Sequence, residues 1–189
     1  VPRPEIKSQI GTDMNLENLL LQKKTAILEQ WHHLIMESYP AGTQGFLKRQ
    51  KDRFDNPVAY EFRQGIEGIY EALVHGMDRD SIYSFLDRII SIRAIQEFPP
   101  SAATAFIFLL KKAIRNTLKK EIVEGGISHE LIEHESRIDG LALLCFDIYM
   151  KRREKLYEIR TNEAKQRVSG LLRMAGLLSD LEKEPVEIG

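Results

Sequence analysis

A chain of 189 residues is long enough to bury a core without disulfide or metal staples. Its 27 basic and 28 acidic residues, a formal charge of −1, exclude the basic excess that nucleic acid or an anionic membrane requires of a partner surface. The single cysteine, Cys145, sits among Leu143, Leu144 and Phe146, which excludes an intramolecular disulfide and reads as a reduced, buried thiol of a cytoplasmic protein.

Residues 1–14 carry two prolines and no periodicity, so they read as a flexible leader with Met14 as a candidate natural start. There is no basic-then-apolar signal peptide and no apolar run of about 18 residues; Ala102 to Leu110 comes nearest and is far too short. From Asn15 to about Ser38, Leu16, Leu20, Ile27, Trp31 and Leu34 follow the three-and-four spacing of one helix face. This first predicted helix stops at Tyr39-Pro40, because the residue before a proline is pushed out of helical geometry and Gly42 and Gly45 follow. A short basic segment, Phe46 to Phe54, leads to Asn56-Pro57. There asparagine accepts a bond from an orphan amide, and proline has its φ preset for the first helical position.

The second predicted helix carries Val58, Phe62, Ile66, Ile69 and Leu73 on one face and ends near Gly76, with Asp78 or Asp80 placed to cap the third. The third, from about Asp80 to Glu97, has a stripe of Ile82, Leu86, Ile89 and Ile90. Arg93 falls in the middle of that stripe and Gln96 on its edge. The fourth follows Pro99-Pro100, with Ser101 or a neighbour as cap, and runs to about Glu124. Ala105 to Leu110 is apolar all round, which predicts enclosure by other helices. Lys111, Lys112, Arg115, Lys119 and Lys120 then suit emergence into solvent and the negative end of the helix dipole, and Gly125-Gly126 ends the element.

Ser128 opens a fifth predicted helix with no proline before Pro185 and no glycine between Gly140 and Gly170. Its first half is apolar (Ile138, Leu141, Leu144, Cys145, Ile148), whereas Lys151 to Gln166 holds mainly Leu156, Tyr157 and Ile159 among charges. That half is expected to leave the globule, projecting by roughly 24 Å at the helical rise, and to need a partner. Val168 to Leu181 reads as a last short amphipathic helix. The predicted architecture is all-α: a compact bundle of about five helices with a long projecting C-terminal helix. Its divisions are a leader (1–14), a helical domain (15–150), the extended and short helices (151–184) and a loose tail (185–189).

Chemistry is sparse. SHELIEHES, Ser128 to Ser136, looks like a zinc-protease helix, but His129 and His134 stand about 140° apart around a helix, whereas ligands on one face need a spacing of three or four. His32 and His33 follow Trp31. One of them lies near the apolar face, as a half-exposed histidine or, alternatively, a haem ligand. His75 suits contact with helix-terminal carbonyls. Gly42, Gly45, Gly65 and Gly68 lack the lysine and serine or threonine of a phosphate-binding loop, and no nucleophile elbow or catalytic cysteine signature occurs. The basic run of the fourth helix lacks the interleaved aromatics of a nucleic-acid surface. The expectation is no enzyme, no metal, no cofactor, no nucleic acid and no membrane.

Arg93, Gln96 and Ser101 remain. Either the Arg93 guanidinium, close to the amino end of the fourth helix, forms a small anion or ligand pocket, or it snorkels to third-helix carbonyls or pairs with a buried acid.

Trp31 followed by Tyr39-Pro40, the run Arg53 to Val58 (RFDNPV), Arg93 to Phe98 (RAIQEF) followed by Pro100 to Ala103, and Phe106 to Lys111 together resemble the N-terminal domain of RsbRD-type proteins. These are the RsbT co-antagonists of bacterial stress signalling. The similarity covers about residues 15–150 and marks Trp31, Arg53, Asn56, Pro57, Arg93, Gln96, Pro100 and Ser101 as family-motif or pocket positions. It implies a non-catalytic, cytoplasmic sensor or input module that forms a homodimer and is globin-like by analogy with related haem-free input domains. Family co-antagonists carry a C-terminal STAS domain phosphorylated by a partner kinase. No such β/α stretch follows residue 150 here, so only the input half carries over, with a signalling partner or output domain on another chain. A dimer lost on truncation near Lys151 is the expectation; a ligand-binding helical domain, haem-binding included, is the alternative.

Overall fold

Helix starts and stops are set by a few local devices. Asn15 adopts an extended backbone and its side chain accepts from the Asn18 amide at 2.8 Å, which opens α1 (Leu16–Gln22). Lys23 then leaves helical geometry (φ −102°, ψ 13°) before α2 (Lys24–Glu37) begins. The computed structural model describes residues 15–39, 57–76, 78–96, 98–124 and 126–176. The predicted single helix over Asn15 to Ser38 is therefore two. The break coincides with the Tyr70 hydroxyl donating at 2.9 Å to the Leu20 carbonyl, the acceptor that the Lys24 amide would use in an unbroken helix.

Next come α3 (Pro57–His75) and α4 (Arg79–Ile95), joined through Gly76 at φ 71° and Asp78, whose carboxylate accepts from the Asp80 and Ser81 amides at 3.0 and 2.9 Å. α5 (Pro100–Thr117) starts with Pro100 at its first position and Pro99 as cap, with no side-chain bond; the expected Ser101 cap is corrected, since Ser101 lies one residue inside the helix and is exposed. The predicted fourth helix also breaks. Leu118 (φ −100°, ψ 17°) is fully buried and separates α5 from α6 (Lys119–Glu124), whose Glu121 pairs with Lys23.

α7 (Ser128–Met174) is one element of 47 residues. Val168 to Met174 belongs to it rather than to a separate helix. A glycine in a helix interior costs only about 1 kcal/mol, too little at Gly170 to stop the element. It ends at Gly176, in left-handed geometry at φ 71°, with the Gly176 amide on the Arg173 carbonyl at 3.1 Å. The described residues thus form seven helices and no strand. Arg53, Asn56, the basic segment Phe46 to Phe54, residues 1–14 and the tail after Gly176 lie outside them.

The chain divides into two compact units, Val1–Tyr149 and Met150–Gly189. In the first, α2 lies on α5 and α3 on α4. Trp31, Ile27, Ile69, Leu86, Phe106 and Leu110 are fully or almost fully buried at the centre. Enclosure of Ala105 to Leu110 is only partial: Phe106, Ile107 and Leu110 are buried, but Ala105 and Phe108 are exposed. The basic half of α5 does more than meet solvent, since Lys111 reaches Asp139 at 2.6 Å and Arg115 holds Glu135. In the second unit most side chains are exposed; Arg153 covers the Tyr157 ring at 4.9 Å and donates to its hydroxyl at 2.7 Å. No helix among the described residues is long and apolar enough to cross a membrane.

Gly65 and Gly68 explain the close approach of α3 and α4. A Cβ at Gly65 would stand 2.9 Å from the Ile89 side chain, and one at Gly68 would stand 2.5 Å from the Phe85 ring. At Gly140 on α7, by contrast, an added Cβ meets nothing within 4 Å. Gly68→Ala is therefore expected to destabilise the domain by about 1–3 kcal/mol through overpacking, whereas Gly140→Ala gains up to about 1 kcal/mol of helix propensity. Urea unfolding of the two variants against wild type checks both signs.

Candidate functional site

The apolar stripe of α4 must face the core, and Arg93 rides on it in the last turn. Its side chain is 1% exposed. Nη1 donates to the Ala102 carbonyl of α5 at 2.8 Å, and the guanidinium carbon lies 5.0 Å from the Phe106 ring centre, 5.2 Å from Tyr39, 5.2 Å from Phe98 and 5.8 Å from Phe62. Nε and Nη2 complete no hydrogen bond, while the Tyr39 hydroxyl is close enough to act on the guanidinium without closing one at either atom. Among the described residues no carboxylate pairs with the arginine. The ring faces supply cation–π attraction of about 0.5–2 kcal/mol each.

Each wall of this aromatic box is itself fixed. Phe106 stacks on Trp31 with centroids 6.3 Å apart and planes at 10°, and the indole Nε1 donates to the Phe106 carbonyl at 2.7 Å. Phe62 tilts against Phe106 at 6.4 Å. Tyr39 meets Phe98 edge-on at 5.2 Å, and the Tyr149 hydroxyl donates to the Phe98 carbonyl. Burial pulls the Arg93 guanidinium below its ordinary range, with Tyr39 acting against that shift; burial likewise raises the Tyr39 phenol, with Arg93 opposing. Burial pushes the Cys145 thiol up to about 12, against the pull of Arg93.

Of the positions singled out in the sequence, Trp31 and Arg93 are brought together, through Phe106. Gln96 caps the end of α4 and is exposed, Pro100 opens α5 and Ser101 faces solvent, so none of these three enters the box; Pro57 begins α3. Arg93 does hold a carbonyl, but one of α5 rather than of its own helix, which corrects the snorkelling expectation. The walls Tyr39, Phe62, Phe98 and Phe106 were not marked as pocket residues. Only the aromatic neighbours Phe98 and Phe106 carried a local signal, being close to Arg93 along the chain.

The histidines separate by burial. His134 on α7 is almost fully buried, its Nε2 has no partner, and it lines a cleft of about 160 Å³ with Leu16, Leu20, Glu130, Glu133 and Arg137. Glu130 is tied there by the Leu16 amide at 2.6 Å. His129, five residues earlier, is exposed and lies 3.5 Å from Glu133. His75 approaches Glu71 at 3.0 Å, so a carboxylate rather than a terminal carbonyl accounts for it. Among the described residues no group of three or more His, Cys, Asp and Glu side chains could hold a metal ion.

Burial lowers both His32 and His134 to about 4, helped by Arg63 at His32 and by Arg137 at His134. Unfolded, both bind a proton near pH 6.5. The unfolded chain therefore holds more protons between these values, and stability, complete above about pH 6.5, falls as pH drops toward about 4. For His134 the loss reaches up to about 3 kcal/mol at the low end. His134→Leu is expected to flatten the decline in chemical unfolding measured at about pH 7 and about pH 4.5; an unchanged slope would show that His134 does not titrate in this way.

The family model of the RsbT co-antagonist protein rsbRD N-terminal domain matches residues 25–164. The match takes in Trp31, the whole arginine box and His134, and it runs beyond residue 150, where the resemblance in sequence motifs stopped. No curated protein and no solved structure matches the chain. With well over half of its residues inside that match, the chain belongs to the RsbRD N-terminal domain family of RsbT co-antagonists.

Proposed function

We propose that this chain is a non-catalytic sensor or input module of a bacterial stress-signalling regulator, working in the cytoplasm through contacts with other protein chains and through a homodimer. One observation carries the reading. Ile132, Leu143 and Phe146 of α7 are exposed, Leu143 at 71%, and Phe108 of α5 is exposed at 47%. The Lys111–Asp139 ion pair lies one turn from Phe108 on one helix and one turn from Leu143 on the other, so the apolar side chains flank a single seam. Scattered surface hydrophobics are ordinary, but large ones clustered on adjoining helices mark an interaction surface. A second copy is the simplest occupant, because a two-fold axis along one helix face sets each apolar residue against the same patch of its partner. A non-catalytic role accords with Cys145, whose buried thiol is held protonated rather than as the thiolate a nucleophile needs.

A second reading, a ligand-binding helical domain, is favoured by the unpartnered edge of Arg93. Its haem form rests on His32, half-buried and neutral as a ligating imidazole must be, and an absorbance band of bound haem in the purified protein is its test.

Leu143→Asp combined with Phe146→Asp replaces two exposed side chains and is expected to leave helicity intact while weakening self-association by about 30-fold or more, the loss of roughly 2 kcal/mol typical of an interface anchor. Sedimentation velocity over a range of concentrations checks this. A wild-type protein that stays monomeric throughout would sink the dimer.

A further inference from the structure

We propose that the free edge of Arg93 is a binding site for a small monocarboxylate. The inference rests on the second reading above, that the domain holds a ligand, and names the class of ligand. Nε–H and Nη2–H lie side by side on one edge of a guanidinium and together match the two oxygens of a carboxylate. The chain shows this match elsewhere: Arg115 holds Glu135 by the same two nitrogens, at 2.5 Å from Nε to Oε1 and 2.7 Å from Nη2 to Oε2. At Arg93 the third nitrogen, Nη1, is spent on the Ala102 carbonyl, which orients the group and leaves the fork as its unsatisfied edge.

Burial makes that edge costly to leave empty. A guanidinium cannot shed its charge at any pH the protein meets, and each buried donor without an acceptor carries its full desolvation penalty. The rings of Tyr39, Phe62, Phe98 and Phe106 attract the cation through their faces, but a π face does not replace an oxygen in the plane of the fork. An arriving carboxylate supplies both acceptors and the counter-charge that no described residue provides.

The surroundings select the rest of the ligand. Four ring faces favour a short apolar body attached to the carboxylate. They disfavour a phosphate, whose second charge would enter the same apolar box with no second cation among the described residues. Of the four walls Phe98 is partly exposed, whereas Tyr39, Phe62 and Phe106 are buried. Trp31, the only tryptophan, stacks on the Phe106 wall and so reports occupancy by its fluorescence.

The test titrates the full chain with acetate, propionate and inorganic phosphate at constant ionic strength, following Trp31 fluorescence and thermal midpoint. Propionate or acetate is expected to give a saturable response. Arg93→Lys, which keeps the charge and loses the fork, should raise half-saturation by about tenfold or more. Arg93→Met should abolish the response and, in acid-free buffer, unfold no earlier than wild type, because an unpaired buried charge has been removed. No saturable response in wild type, an equal response in Arg93→Lys, or an equal response to phosphate would overturn the carboxylate assignment. A Met variant that unfolds much earlier or fails to fold would do so as well, by making the arginine structural. Native mass measurement separates the two levels: a retained ligand without a carboxylate overturns this proposal and leaves the second reading standing, whereas no retained ligand and no response to acids overturn both.

Discussion

Trp31 holds Phe106 twice, by stacking on its ring and by donating from the indole to its carbonyl. The ring contact alone could slide; the hydrogen bond to a backbone atom fixes the register of α2 against α5, because a buried indole N–H left without an acceptor is costly. Phe106 then serves as the inner wall for Arg93 and leans on Phe62. The arginine is thereby enclosed by elements that were already fixed. Its own contribution is the bond to Ala102, which ties the end of α4 to the first turn of α5 where no side chain caps that helix.

Around this centre the fold uses polar tips on aromatic bodies as cross-links. Tyr70 reaches the carbonyl of Leu20, and Tyr149 reaches that of Phe98. Each ring buries apolar area and spends its single donor on a backbone acceptor of a different element, so burial and satisfaction of polar groups come from the same residue. Ion pairs at the rim are of another kind. Arg88 with Glu61 at 3.2 Å and Arg115 with Glu135 are solvated on at least one side, and they specify neighbours more than they stabilise.

The main outline was legible in the sequence wherever a local cause sets the structure. The Pro57 start, the stop at Gly76, the Asp78 cap and the start at Pro100 all follow from residues acting on their own backbone. The position of Arg93 followed from helical arithmetic alone. What surrounds it did not, since Tyr39 and Phe62 are distant along the chain and only the packing of α2, α3, α4 and α5 brings them to one guanidinium. The breaks at Lys23 and Leu118 were equally invisible: neither has a glycine or proline, and what accompanies them, the Tyr70 hydroxyl on the Leu20 carbonyl and the burial of Leu118, is tertiary. The last predicted helix erred in the opposite direction, because the return of leucines after Val168 looks like a new element when the continuous backbone hydrogen bonds of α7 are not in view. Phe108 shows a further gap. An all-apolar run has the same letters whether its last face meets the core or a surface, so enclosure was overestimated there.

Cys145 carries a consequence for watching this molecule move. It is the only cysteine, it is fully buried on α7, and its thiol is held protonated. A thiol reagent therefore has nothing to attack until the helices around it part. Labelling at this one atom works as a clock on the core: its rate counts openings directly, and any event that tightens the box around Arg93 would be heard as a slower tick.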